Sequence, residues 1–455
     1  MMSKIGQVRN VMRLMTGVAA NRAFVSREVA LPMVCIVVLL GIFLITGCHR
    51  QVPEPQYPAT RSHEGTAEWT RFRGPNGSGL GNAPGLPENF APGDFNWRVE
   101  LPGGGHSSPV IWGDRIFVTA NPKGTAKRVV VCLSVQKGET LWTKTYDSSD
   151  YKLVEEDNYA ASSPAVDAER VYFHWASPRG SGLIALDQDD GHVVWTVDLG
   201  PCVSEVGSGT SPIVIEDMVI LNFDQDKPKS FLLAVDAKTG KERWRWEHEG
   251  TRNTPATPCA FFPRSGEPSI LIDTFTVGLC AIEARTGKLI WQIPGLMKRR
   301  CVASPIVTDA GLIVAQCGEG RAETYVEVVR LAADGRSAEK AYEILRVGGN
   351  VPTPIAVKGL IFLWKENGYV TCVRAEDNEQ LWSERVQGSF FGSPVCANGR
   401  LYNMSTRGDL IVIAAAEQFQ SIARIPLGES SYATPAISGG RMYLRTFTHL
   451  ISVGK

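Results

Sequence analysis

The stretch ALDQDDGHVVW at residues 185–195 recurs as AVDAKTGKERW at 234–244 and as AIEARTGKLIW at 281–291. Each copy has a small residue, then an acid, then Gly, and ends in Trp. An acid followed by Gly is typical of a tight turn, because the carboxylate caps the backbone and Gly accepts a positive φ. The similar spacing of three copies predicts a repeat protein. The marker residues are Asp187, Gly191, Trp195, Asp236, Gly240, Trp244, Glu283, Gly287 and Trp291.

The same pattern extends in weaker form along the chain. Partial copies end in Trp142 and Trp382, with Cys132 and Cys372 in the small-residue position, and two further repeats near 334–335 and 414–416 have lost the Trp. Small hydrophobic roles are the simplest interpretation of both cysteines. A Ser/Thr-Pro pair marks the start of each repeat, at Pro109, Pro164, Pro212, Pro255, Pro305, Pro354, Pro394 and Pro435.

Each repeat is expected to form four short strands. In the third repeat these are 212–215, 218–222, 231–235 and 242–246, which are rich in β-branched and aromatic residues and bounded by turn residues. One four-stranded sheet cannot cover both of its faces, whereas a ring of sheets buries each face against the next. The Trp of each outer strand would fill the seam between neighbouring sheets.

The two ends of the repeat region complement each other. The last repeat, from Tyr432 to Lys455, has three strands, and Phe95–Val99, which includes Trp97, has the pattern of a missing fourth strand. Pairing the two would close the ring and remove two sheet edges. The sequence therefore predicts an all-β, eight-bladed β-propeller of four-stranded antiparallel blades over 95–455, closed by an N-terminal strand that completes the C-terminal blade.

These repeats resemble the pyrroloquinoline-quinone-like (PQQ-like) β-propeller repeat family, whose tryptophan-docking motif matches the unit described above. Within that family, an eight-bladed propeller with a lipoprotein leader is similar to the BamB-type subunits of the outer-membrane protein assembly machine. The resemblance also includes quinoprotein dehydrogenases, which hold their cofactor over the propeller axis beside Ca²⁺ and often beside a disulfide between adjacent cysteines. This chain has no Cys-Cys pair and no Cys-x-x-Cys-His haem motif.

The N-terminal region has the features of a targeting segment. Five basic residues and one acid precede an apolar run from Val29 to Ile45, which ends in Ile45-Thr46-Gly47-Cys48. This order is typical of a secretory signal, and its end resembles a lipobox, which implies lipidation of Cys48. A plain signal anchor is the alternative, because about 17 apolar residues is the lower limit for a membrane span. We expect a signal peptide at 1–47, a flexible tether at 48–67 and a lead-in segment at 68–94.

Composition argues against several other classes of function. Lys+Arg and Asp+Glu each number 47, so there is no basic excess for binding nucleic acid. The eight cysteines after the lipobox show no zinc-site spacing, and the sequence cannot give their disulfide connectivity. Asp224-x-Asp226 has ligands suited to Ca²⁺, although a solvated loop is the simpler interpretation. The Gly-rich segment 74–79 reads as a structured turn rather than a phosphate loop. We therefore expect no cofactor, no metal site and no catalytic residue.

The loops that enter the first strand of each blade should share one rim, here called the entry rim. Aromatic residues and Arg are common binding anchors, and the acidic run 155–157 is expected to protrude there. The candidate rim residues are His106, Asn158, Tyr159, Glu205, Arg252, Asn253, Arg299, Arg300, Asn350, Phe390, Phe391 and Tyr432. Ordinary loop capping is the alternative role for any one of them.

The sequence thus favours a monomeric, lipid-anchored interaction scaffold facing the periplasm, with the outer membrane favoured over the inner. Its expected partners are envelope proteins, in particular the outer-membrane assembly machinery. A PQQ-dependent dehydrogenase, or a degenerate relative that still binds a quinone, is the alternative. A module that binds envelope carbohydrate is a third hypothesis, which the Trp count suggests and the burial expected for the motif Trp weakens.

Overall fold

The computed structural model describes residues 68–151, 158–204, 209–226, 229–250, 252–264, 266–320 and 323–455. All of them belong to one compact unit. Within these ranges the chain forms eight four-stranded antiparallel sheets. This confirms the predicted eight-bladed propeller. The predicted signal peptide, the tether and Cys48 lie outside the described residues. No helix among the described residues has both the length and the apolar character that a membrane crossing requires.

The first four blades each run from an inner to an outer strand in chain order. Blade 1 comprises β2 (Val110–Trp112), β3 (Arg115–Ala120), β4 (Arg128–Ser134) and β5 (Thr140–Tyr146). Blade 2 comprises β6 (Ala165–Val166), β7 (Arg170–Ser177), β8 (Gly180–Asp187) and β9 (Val193–Asp198). Blade 3 comprises β10 (Ile213–Ile215), β11 (Met218–Phe223), β12 (Lys229–Asp236) and β13 (Glu242–Glu249). Blade 4 comprises β14 (Cys259–Phe261), β15 (Ser269–Thr274), β16 (Gly278–Glu283) and β17 (Leu289–Ile293).

The remaining blades follow the same order until the last. Blade 5 comprises β18 (Ile306–Val307), β19 (Leu312–Glu319), β20 (Glu323–Leu331) and β21 (Ala338–Leu345). Blade 6 comprises β22 (Ile355–Val357), β23 (Leu360–Trp364), β24 (Tyr369–Arg374) and β25 (Gln380–Arg385). Blade 7 comprises β26 (Val395–Ala397), β27 (Arg400–Met404), β28 (Asp409–Ala414) and β29 (Ser421–Pro426). Blade 8 comprises β30 (Ala436–Ser438), β31 (Arg441–Arg445), β32 (His449–Gly454) and β1 (Trp97–Glu100).

The N-terminal strand closes the ring as the sequence predicted. β1 pairs antiparallel with β32, with Trp97 opposite Ser452 and Val99 opposite Leu450. The pairing covers the edge that β32 would otherwise expose.

The repeat motif builds the seams between blades. Its small residue faces the Trp across the third and fourth strands, as in Ala185 opposite Trp195, and a β-bulge follows directly. The indole N–H then donates to a backbone carbonyl in the turn between the third and fourth strands of the next blade. These bonds run from Trp97 to Val135 (3.1 Å), Trp142 to Gln188 (2.8 Å), Trp195 to Ala237 (3.0 Å), Trp244 to Ala284 (2.8 Å), Trp291 to Gly335 (3.0 Å) and Trp382 to Ala416 (3.1 Å).

The glycine of the motif is required by this packing. Gly240 has a φ of 71°, and a Cβ there would lie 2.7 Å from the Trp195 ring. Cys132 and Cys372 face Trp142 and Trp382 and are fully buried. They therefore act as the small residue of the motif. In blade 5, where the Trp is lost, Tyr342 takes its place and donates from its hydroxyl to the Ala375 carbonyl at 2.6 Å.

Candidate functional site

Eight hydroxyl groups form a closed belt of hydrogen bonds around the propeller axis. In each blade the Ser or Thr before the marker Pro donates its backbone N–H to the hydroxyl oxygen of the equivalent residue in the next blade, at 2.8–3.2 Å. The members are Ser108, Ser163, Ser211, Thr257, Ser304, Thr353, Ser393 and Thr434, and the N–H of Thr434 closes the belt on Ser108. Every inner strand is thereby tied to both of its neighbours.

The belt corrects one assignment made from the sequence. In the fourth blade the marker pair is Thr257-Pro258, because Thr257 is the belt member and β14 begins directly after Pro258. Pro255, which was predicted to be the marker, instead belongs to the entry loop and lines the central cavity.

The lead-in segment packs inside the ring. The backbone N–H of Trp69 donates to the Ile111 carbonyl of blade 1. The Asn76 side chain bonds to the backbone of Ala260 in blade 4, and Leu80 forms a β-bridge with Cys396 of blade 7. The segment therefore runs across the ring, and Phe72 contributes to the lining of the central cavity. The predicted Gly-rich turn is present as a 3-10 helix at Pro75–Gly77, and a second one spans Pro92–Asp94.

Two buried arginines hold the lead-in segment to inner strands. Arg71 donates to the Pro258 carbonyl at 2.6 Å and Arg73 to the Pro394 carbonyl at 3.3 Å. Burial lowers the pKa of Arg71 to about 10 and that of Arg73 to about 9, and the charge of Arg71 lowers the pKa of Arg73 further. A buried cation is costly without hydrogen bonds, so these carbonyl contacts stabilise the segment in its place.

The central cavity has a volume of about 310 Å³. All eight belt residues line it, and Phe72, from the lead-in segment, contributes an aromatic ring. Entry-loop residues complete the lining, among them His106, Arg300, Asn350, Phe391 and Tyr432. The cavity wall therefore offers hydroxyl groups, one guanidinium group and several aromatic rings. Such a lining suits a ligand that combines a polar or anionic group with a flat or apolar one.

Three rings form a continuous aromatic arc on one side of the mouth. His106 lies 4.6 Å from Tyr432, which lies 5.2 Å from Phe391, measured between ring centroids. Phe447 extends the arc at 5.7 Å from His106. All four side chains are half-buried. Each ring of the arc therefore exposes part of its surface to solvent, while contacts with the neighbouring rings hold it in position.

The opposite side of the mouth is charged. Arg252 donates two hydrogen bonds to Glu319, at 3.0 and 2.5 Å, and Arg299 pairs with Glu323 and lies 3.8 Å from Glu319. These pairs occupy the two guanidinium groups on the outside of the rim. Arg300, the neighbour of Arg299 and another predicted rim residue, lines the cavity.

The structure places some predicted rim residues in supporting roles. Phe390 is fully buried against Trp364, 5.2 Å between ring centroids, so it is a core residue and not an exposed anchor. Asn253 is also buried, and its side-chain amide donates to the Asp224 carbonyl at 2.7 Å. Phe391, the neighbour of Phe390, is the ring that reaches the cavity.

Asn158 and Tyr159 stabilise their own loop. The Asn158 side-chain oxygen accepts from the Ala160 N–H at 2.7 Å. The Tyr159 hydroxyl donates to the Tyr151 carbonyl at 2.6 Å, and Arg128 lies over the Tyr159 ring at 4.5 Å from its centroid. Glu205 and the acidic run 155–157 lie outside the described residues.

Asp224 and Asp226 also serve the fold. Asp224 is buried and accepts hydrogen bonds from the Ser230 hydroxyl, the Gln225 N–H and the Thr254 N–H at 2.5–3.0 Å. Burial raises its pKa despite these donors. Asp226 accepts from the Asn253 N–H at 2.6 Å. The pair therefore fastens the entry loop of blade 4 to blade 3, whereas the sequence analysis favoured a solvated loop over a calcium site.

The cavity does not offer the ligands that a calcium-assisted quinone would need. Ca²⁺ takes six to eight oxygen ligands, with carboxylates prominent among them. None of the described residues that line the cavity is an Asp or a Glu. The donor set therefore does not match that cofactor pair.

Comparison with known proteins assigns the chain to a family. The family model described as outer membrane protein assembly factor BamB matches residues 89–271 and 279–447, more than half of the chain. The chain belongs to this family. A BamB of Moranella endobia is 24% identical over 230 residues, which are 46% of this chain and 56% of the relative. The matched region thus spans little more than half of that relative.

Solved structures show the same fold. BamB from Moraxella catarrhalis superposes with a TM-score of 0.54 and 16% identity, covering 78% of this chain and 95% of that one. A europium-containing methanol dehydrogenase superposes with a TM-score of 0.62 and 12% sequence identity. The match covers 83% of this chain and 89% of the enzyme. These identities establish the architecture alone, which is common to scaffold proteins and enzymes.

Sequence reasoning did not find the belt or the role of Phe72. The signal for the belt was present, since the hydroxyl residue before each marker Pro is as regular as the Pro itself. Phe72 carried no local signal, because nothing in the lead-in segment indicates that it enters the ring.

Proposed function

We propose that this protein is a lipid-anchored, non-catalytic scaffold of the cell envelope that supports the assembly of outer-membrane proteins, as its family description states for BamB. The family match over both halves of the propeller carries the proposal. The lipobox-like sequence ending in Cys48 supports the membrane anchor.

The aromatic arc supports a binding role for the entry rim. Half-buried aromatic rings around a pocket are the usual anchors of protein interfaces, since they bury large areas with little loss of side-chain entropy. The arc, consisting of His106, Tyr432, Phe391 and Phe447, lies beside a cavity large enough to take one large side chain of a partner. Our proposal is that a loop of an assembly protein docks here, with Arg300 facing it across the mouth.

Site-specific photo-crosslinking tests this proposal. A benzoylphenylalanine at Phe391 replaces one aromatic ring by another at the arc, and the matched control carries it at Leu345, which is 63% exposed on the outer strand of blade 5. We expect an adduct with a β-barrel assembly protein from position 391 and none from position 345. Equal adducts from both positions, or none from position 391 in intact membranes, would overturn the proposed docking face.

The anchor and the absence of catalysis have separate tests. Cys48→Ser should release the protein from the membrane fraction and abolish incorporation of labelled fatty acid. Dye reduction by the purified chain with pyrroloquinoline quinone and Ca²⁺, above the rate of a heat-treated sample, would instead support the dehydrogenase alternative.

A further inference from the structure

Two cysteines from different parts of blade 5 lie opposite each other beside the cavity mouth. Arg300 and Gly318 form an antiparallel bridge, in which the Gly318 N–H donates to the Arg300 carbonyl at 3.0 Å. Cys301 follows Arg300 and Cys317 precedes Gly318. In an antiparallel ladder the pair next to a hydrogen-bonded pair is a non-hydrogen-bonded one, in which the Cα atoms are only about 4.5 Å apart.

That register suits a disulfide. Bridged cysteines have Cα atoms about 4.4–6.8 Å apart and Cβ atoms about 3.5–4.5 Å apart, a range that non-hydrogen-bonded pairs reach. Both side chains belong to the same buried cluster, which lies between blades 4 and 5. Both cysteines are fully buried, and both are free thiols.

The surroundings favour reaction at Cys317. Polar neighbours lower the pKa of Cys317, chiefly the Cys301 side chain and then the backbone of Arg299 and Lys298. Burial raises the pKa of Cys301. A thiolate is the species that attacks a disulfide, so Cys317 is the first nucleophile and Cys301 the resolving thiol. Cys132 and Cys372 have no such arrangement, since each faces a Trp ring.

We propose that Cys301 and Cys317 form an intramolecular disulfide when the chain folds in an oxidising medium. With oxidised glutathione as the oxidant, the Cys317 thiolate attacks one glutathione sulfur and releases one glutathione as thiolate. The Cys301 thiolate then attacks the Cys317 sulfur of the mixed disulfide and releases the second glutathione. The two cysteines lose two electrons and two protons, and one oxidised glutathione becomes two reduced ones. Because both side chains are buried, exchange takes place before blades 4 and 5 close or during local opening.

The disulfide would fix the charged side of the mouth. It would join the loop that carries Arg299 and Arg300 to the end of β19 that carries Glu319. Arg300 would then be held at the cavity wall by a covalent bond one residue away. The inference concerns the chain alone and does not depend on the proposed function.

The tryptic map offers a direct test. No Lys or Arg stands between Arg300 and Arg321, so one peptide, 301–321, contains both cysteines. The full chain is refolded in a glutathione mixture rich in the oxidised form, denatured, treated with iodoacetamide and digested. We expect this peptide without alkylation and two hydrogens lighter than the dithiol. The peptides that carry Cys132 and Cys372 are expected to be alkylated.

Recovery of peptide 301–321 with two alkylated thiols under these conditions would refute the proposal. A second measurement compares thermal midpoints with and without a phosphine reductant. The closed loop should raise the midpoint by roughly 2–5 °C, and Cys301→Ser should abolish that difference. Cys132→Ser is the matched control, in which the difference should persist. A difference that survives Cys301→Ser would assign the effect to another pair.

Discussion

Gly240→Ala is expected to be far more destabilising than the same change at Gly399. Both glycines have left-handed backbones, with φ of 71° and 72°. A Cβ at position 240 would lie 2.7 Å from the Trp195 ring, whereas a Cβ at position 399 would meet nothing within 4 Å. The left-handed conformation costs roughly 1–2 kcal/mol for an Ala, and this cost is common to both variants.

The clash with Trp195 adds a second cost at position 240 only. Forcing an extra methyl group into a packed seam costs about 1–3 kcal/mol. Gly240→Ala should therefore lower the free energy of unfolding by about 2–5 kcal/mol and Gly399→Ala by about 1–2 kcal/mol. Guanidinium unfolding of the full chain, followed by far-UV circular dichroism, measures both.

Trp195→Ala provides the decisive comparison. This change alone removes a large buried ring and should cost about 3–5 kcal/mol. It also removes the ring that a Cβ at position 240 would meet. In the Trp195→Ala background, Gly240→Ala should therefore lower the free energy of unfolding by no more than Gly399→Ala does. Equal costs for the two glycine changes in the native background would refute the reasoning, as would strict additivity of Gly240→Ala and Trp195→Ala.

Three other measurements follow from particular contacts. Asp273 is fully buried without a hydrogen-bond partner for its carboxyl among the described residues, and burial holds its pKa well above the usual range. The folded state therefore keeps a proton that the unfolded state has lost above about pH 4, so stability falls with rising pH by up to about 1.4 kcal/mol per unit. Asp273→Asn should flatten that slope between pH 5 and 8 in guanidinium titrations, and unchanged slopes would contradict this. Ser211→Ala removes the acceptor of the Ser163 N–H and should cost about 1–3 kcal/mol. Ser211→Thr should cost little, since Thr occupies three of the eight belt positions; equal losses for both changes would argue against the belt. Tyr342→Phe should cost about 0.5–1.5 kcal/mol through loss of its bond to Ala375. Tyr369→Phe, at a site 42% exposed, serves as its control and should be neutral.

Much of the fold could be predicted because each blade repeats one local pattern. The small residue of the motif precedes a β-bulge, the acid and Gly form a turn, and the Trp fills the seam between blades. All three features form within one repeat and its neighbour. Ring closure was predictable for a related reason, since Phe95–Val99 had the pattern of an outer strand without a repeat of its own. The marker Pro of blade 4 was wrongly predicted because Thr254-Pro255 and Thr257-Pro258 are both Ser/Thr-Pro pairs. Only the start of β14 at Cys259 distinguishes them.

The site was harder to predict because it depends on which side of a loop faces inward. Phe390 and Phe391 are identical in sequence terms, yet the first is core and the second lines the cavity. Likewise, Arg299 and Arg300 differ only through Glu319 and Glu323, which belong to another part of the blade. The lead-in segment has no periodic sequence pattern from which its path could be predicted. Its conformation depends instead on hydrogen bonds to carbonyls of inner strands that are distant in sequence.

The seam between blades 8 and 1 has a consequence for the order of folding. Three contacts there join opposite ends of the sequence: β1 with β32, the Thr434 N–H with the Ser108 hydroxyl, and Arg445 with the Ser107 carbonyl at 2.9 Å. A chain made from its N-terminus holds β1 unpaired until the final strand has emerged. Contacts so distant in sequence form slowly, and an unpaired strand invites pairing with other chains. Ring closure is therefore a single late event, and until β32 is available β1 has no partner strand within its own chain.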